Sequence, residues 1–148
     1  MLHKNAIEAQ ADSLLDLLIA QCADLEALLQ LARRETAVAD NGDFEELMRV
    51  VSARAELGER LEVYHRQIAE MRERLGETAD SALQSEAASR AASLINGILM
   101  QDEQTRPLLV VARDRAAAAA REVEQKRRGV SAYLRDGRSQ AVACDQLA

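Results

Sequence analysis

Proline occurs once in 148 residues, at Pro107, tryptophan never, and Phe44, Tyr64 and Tyr133 are the only aromatics. With β-branched residues also sparse, the composition excludes a sheet-based core. Two cysteines, Cys22 and Cys144, make no disulfide framework, and with only His3 and His65 beside them they make no zinc spacing. The six glycines stand singly, so no glycine-rich loop is available to cradle a phosphate. No apolar run approaches the roughly 20 residues of a membrane span, so no stable membrane insertion is expected. The opening MLHKNAIEAQ reaches acids at Glu8 and Asp12 without the apolar stretch of a secretory leader. Together these shortages point to a protein kept in a reducing cytoplasm.

What is present is leucine and alanine at helical spacing. Hydrophobic residues make up 48% of the chain and charged residues 30%, which suits long helices with solvated faces. The net charge of -6 excludes a general nucleic-acid binder, because phosphate neutralisation needs a basic surface. The charge is uneven. Met1 to Asp40 holds seven acids and three bases, whereas Arg113 to Arg138 holds eight bases and four acids. The first reading of this asymmetry is complementarity between an acidic first helix and a basic last one.

The first helix is expected from about Lys4 to Val38. Its stripe of Leu14, Leu18, Cys22, Leu25, Leu29 and Ala32 advances by threes and fours, close to a coiled-coil rhythm. Asn41 or Gly42 is placed to end it in the left-handed conformation, and Asp43 reads as the N-cap of the next helix, with Glu46 as capping-box partner. That second helix runs from Phe44 to Leu75 on Leu47, Val50, Ala53, Leu57, Leu61, Tyr64, Ile68 and Met71, and Gly76 closes it. At about 1.5 Å per residue it spans about 50 Å, and a short turn between two long helices makes an antiparallel hairpin.

Between Glu77 and Glu86, Thr78, Asp80, Ser81 and Ser85 are all candidate caps. A third helical region follows through Leu94 and Ile98, crosses the polar stretch Gln101 to Arg106, and resumes after Pro107. Two outcomes fit: one helix kinked at Pro107, or two helices with Thr105 as cap and Pro107 in the first turn. The expected fold is therefore all-α, an elongated antiparallel bundle of three to four helices forming one domain over residues 1–135. Residues 136–148 lose the periodicity and read as a mobile tail.

Nothing in the pattern carries catalysis. Glu62 and His65 form an E-x-x-H pair, but they flank the stripe of the second helix, and no second pair completes a di-iron set. Ser81, Ser85, Ser89 and Ser93 share one small polar face. The reading is of a non-enzyme without cofactors. Gly58, Gly97 and Gly129 inside helices each cost about 1 kcal/mol against alanine, and either close helix approach or local flexibility would account for them. Ala116 to Ala120 is a flat, small-residue surface suited either to tight packing or to receiving a partner's helix.

Three passages carry a resemblance. They are LLDLLIAQCADLEALLQLARRETAVADNGDFEELMRVVSARAELGERLE, INGILMQDEQTRPLL and RRGVSAYLRDG, which are spread over most of the chain's length and together cover about half of its residues. In this organisation the chain resembles the FlgN-type export chaperones of bacterial flagella. The resemblance implies a cytoplasmic, non-catalytic chaperone that binds hook-associated subunits of the hook–filament junction, shields their terminal helices and presents them to the export apparatus. It also implies that the last helix contacts cargo, through Leu109, Ala112, Ala116, Ala119, Val123, Val130, Tyr133 and Leu134. Tyr133 matches an aromatic that the family associates with the export gate, although the family usually follows it with a small polar residue and here Leu134 and Arg135 follow. The alternative is a structural coiled-coil or dimerisation module, with a homodimer as its product.

Overall fold

The structure, a computed structural model, describes the backbone of residues 1–147 and the side chains of residues 1–142. It is all-α: α1 is Leu2–Asn41, α2 is Phe44–Leu75, a 3-10 turn covers Gly76–Ala79, α3 is Asp80–Leu83 and α4 is Glu86–Leu147. No strand occurs among the described residues. The chain divides into two compact units, Met1–Leu109 and the remainder from Val110 onward.

In the first unit, the turn after α1 forms as its chemistry dictates. Gly42 takes φ 75° and ψ 17°, and its N–H donates to Val38 O at 3.1 Å. Asp43 caps α2, its carboxylate accepting from the Glu46 N–H at 3.1 Å. The expected capping box is only half made, because Glu46 turns its own carboxylate to Arg34 and Arg49. The turn folds α2 back along α1: Arg34 pairs with Glu46, Glu35 with Arg54 and Asp24 with Arg60, so numbers fall on one helix as they rise on the other.

Beyond Leu75, Gly76 at φ 53° reverses the chain into the 3-10 turn and α3. Of the candidate caps, Ser85 opens α4, its Oγ accepting from the Ala88 N–H at 3.3 Å. The first part of α4 then lies parallel to α1. Cys22 meets Ala87, Glu26 pairs with Arg90, and Thr36 meets Thr105. Three of the seven acids of α1, Asp24, Glu26 and Glu35, are thus paired, by Arg60 and Arg54 of α2 and Arg90 of α4.

The sequence stripes become the core. Leu14, Leu18, Leu75, Ala79 and Ala82 form one buried cluster, with Ile68, Met71 and Leu83 packed around it. Cys22, Leu25, Ala91 and Ile98 form a second, flanked by Leu28, Leu29, Leu61 and Leu94. Burying such a side chain contributes about 1.5–3 kcal/mol. Gly97 approaches α1, where a Cβ would meet the Leu29 side chain at 3.6 Å, while Gly58 and Gly129 face open space.

Pro107 lies inside α4, which runs through it as a single helix. Pro107 and Glu103, whose carbonyl loses its donor to the proline, are both exposed. Thr105 therefore caps nothing; it is buried in mid-helix. The segment read as a tail continues in helical conformation to Leu147. Ala148 and the side chain of Cys144 lie outside the described residues.

Candidate functional site

Two features of this framework go beyond packing: a polar layer inside the first unit and an uncovered helix face in the second.

The polar layer is built from all three long helices. Glu35 and Thr36 of α1, Arg54 of α2, and Gln101, Asp102 and Thr105 of α4 meet at one level. Arg54 Nη1 donates to Glu35 Oε2 at 2.6 Å, and Nη2 donates to Asp102 Oδ2 at 3.0 Å, so one guanidinium ties three helices together. Glu35 is only 4% exposed. Burial pushes the Arg54 guanidinium toward losing its proton, and the hydrogen bonds and charges of Glu35 and Asp102 more than offset that, holding it above its usual value. Beside this triad, Gln101 Nε2 donates to Thr36 Oγ1 at 2.6 Å, and Thr105 Oγ1 donates to Gln101 O at 2.9 Å. The layer has no open position for a substrate. Its chemistry is that of a register pin, because sliding one helix past another would strand a buried charge.

Elsewhere in the first unit, Cys22 borders a groove of about 600 Å³ between α1 and the start of α4, lined also by Leu15, Ile19 and Ala87. Its Sγ donates to Ala87 O at 3.2 Å. Burial pushes the thiol above its usual value, with the nearby Arg90 opposing, so it is held protonated and unreactive. Glu62 and His65 are both exposed on α2. No group of three or more potential metal ligands occurs among the described residues.

The second unit is the part of α4 from Val110 onward. Val123 is 66% exposed, Val130 60%, Tyr133 79% and Leu134 57%. Ala119 is exposed too, and Ala112 and Ala116 are half-buried. Leu109 belongs to the first unit, where it is half-buried. Ala112, Ala116, Ala119, Val123, Val130 and Leu134 follow one another at steps of three, four or seven, which sets them in a single row along the helix. Tyr133 stands at the edge of that row. This row is the apolar surface that the segment has available to bury.

The sequence reading identified the row and missed the layer. The signal for the layer was nonetheless there. Glu35 lies three residues beyond Ala32 on the α1 stripe, and Gln101 and Thr105 continue the steps of Leu94 and Ile98 on α4. Polar residues in phase with a core stripe are the mark of a buried network.

No helix among the described residues is long and apolar enough to cross a membrane. No family model, no curated protein and no solved structure matches this chain.

Proposed function

We propose that this chain is an export chaperone of the FlgN type, carrying hook-associated subunits of the bacterial flagellum through the cytoplasm to the export apparatus. The first unit is the scaffold, and the second unit is the holding surface. Val123, Val130 and Leu134 seat the apolar face of a subunit's terminal helix, with Tyr133 beside them. The single observation that carries this reading is the exposure of Val123, Val130 and Leu134 in that row, each more than half open, with Tyr133 beside them. Such a helix and a subunit's amphipathic terminus each lack what the other supplies, namely a second apolar stripe at three- and four-residue spacing. Ordering both segments on contact offsets part of the binding free energy, which keeps the complex releasable, as a carrier requires.

The test is direct. The full chain is mixed with a junction subunit and run by size exclusion with light scattering. A one-to-one complex that is lost on Val130→Asp supports the proposal. Failure to bind any flagellar subunit removes it, and an obligate dimer of the chain alone would assign the row to self-pairing.

A further inference from the structure

The charges beside the apolar row of the second unit are not neutral toward a guest. Arg113 pairs with Asp114 at 3.1 Å, Lys126 with Glu122 at 3.0 Å and Arg128 with Glu124 at 3.1 Å. Among the described side chains of the segment, these pairs occupy every acid except Asp136, which lies two residues from Leu134 and so on another side of the helix. Arg115, Arg127 and Arg138 have no acidic partner among the described side chains, and all three are exposed. Their positions are specific. Arg115 is three residues from Ala112 and four from Ala119. Arg127 is four from Val123 and three from Val130, and Arg138 is four from Leu134. Each is a helical neighbour of the row, where flanking residues of a coiled coil meet those of the facing helix.

We infer that the occupant of this row is an acidic amphipathic helix, selected by carboxylates that face Arg115, Arg127 and Arg138. The inference rests on the row being a docking surface and adds the chemistry of what docks. A second copy of this helix is a poorer occupant, because its own Asp114, Glu122 and Glu124 are already paired within the helix. The three arginines also do not make a lipid-binding face. The apolar row is one seam wide, its residues three or four apart, and the only aromatic beside it is Tyr133. A helix lying in a membrane interface presents a broad apolar face rich in large residues.

The test uses the full chain and two synthetic amphipathic helices of about four heptads with one shared apolar seam. One carries glutamate at the positions flanking the seam and the other carries lysine. Binding is followed by fluorescence anisotropy at low and high salt. The acid-flanked helix is expected to bind about tenfold tighter at low salt, and salt should shrink the difference. Arg115→Glu with Arg127→Glu should reverse the preference while leaving the circular dichroism of the chain unchanged. Equal binding of the two helices overturns the charge selection and leaves helix capture standing. Failure of both to bind overturns capture itself. Sedimentation with vesicles of mixed phosphatidylcholine and phosphatidylserine, with neither helix bound, would overturn the inference in favour of an anionic lipid surface.

Discussion

The hydroxyls of Thr36 and Thr105 lie 2.6 Å apart, α1 against α4, and Thr105 is 1% exposed. The contact closes a layer whose other half is the Arg54 bridge between Glu35 and Asp102. A polar layer this enclosed is costly to break at one point and cheap to remove whole.

Glu35→Ala should therefore cost about 3 kcal/mol, because it leaves Arg54 buried against a cavity with one carboxylate fewer. Glu35→Leu combined with Arg54→Met and Asp102→Ala should recover most of that, since no buried charge is then left without a partner. Urea midpoints at constant slope measure both. Equal losses in the single and triple variants would show that the triad contributes stability in itself.

The glycines divide by environment. Gly58→Ala should stabilise by about 0.5–1 kcal/mol, because the new methyl meets nothing within 4 Å and the helix loses its most flexible residue. Gly42→Ala should destabilise by about 1 kcal/mol or more, since φ 75° is strained for any side chain. Thermal melts of the two variants should shift in opposite directions.

Acid should loosen the hairpin turn. Arg34's hydrogen bond, aided by Arg49 and opposed by burial, holds the Glu46 carboxyl below its usual value of 4.5. A lowered folded-state value means stability that is fully present above that pH and is lost as pH falls through the folded value. Glu46→Gln should flatten this part of the pH–stability curve by lowering stability at neutral pH, and should leave stability well below the folded-state value nearly unchanged. Asp43→Ala should cost about 1 kcal/mol at neutral pH through the lost cap.

Cys22 reports on opening of the first unit. In a Cys144→Ser variant, a thiol reagent at neutral pH should label Cys22 slowly in the native protein and rapidly in denaturant, because the thiol is buried and held protonated. Rapid native labelling would mean that α4 lifts readily from α1 at Ala87.

Most of the architecture was legible from spacing. Leu14, Leu18, Cys22, Leu25 and Ala32, read as one stripe, are all buried, and Gly42 and Asp43 end and begin the helices they were assigned. The failures share a cause. Local composition was weighed above phase, so Gln101 to Arg106 read only as a polar stretch before Pro107, although Gln101 and Thr105 keep the core rhythm. Asp136-Gly137-Arg138, where the apolar periodicity ends, lie within α4, and no proline follows to stop the helix. Pro107 was ambiguous in principle, because a proline interrupts a helix only where its missing hydrogen bond must be satisfied internally. The row from Ala112 to Leu134 was visible as a pattern, and the missing partner for Arg115, Arg127 and Arg138 emerged only once the helix's own ion pairs were in place.

The central claim is that the row holding Val123, Val130 and Leu134 is left open for another protein's helix. Hydrogen exchange on the full chain, alone and mixed with a flagellar junction subunit, tests it most directly. The account predicts fast exchange from Val110 to Arg138 in the free protein, against slow exchange from Leu14 to Ala32, and strong protection of the former segment in the mixture. Protection of that segment already as high as that of Leu14 to Ala32 in the free protein, or no change on mixing, would contradict it.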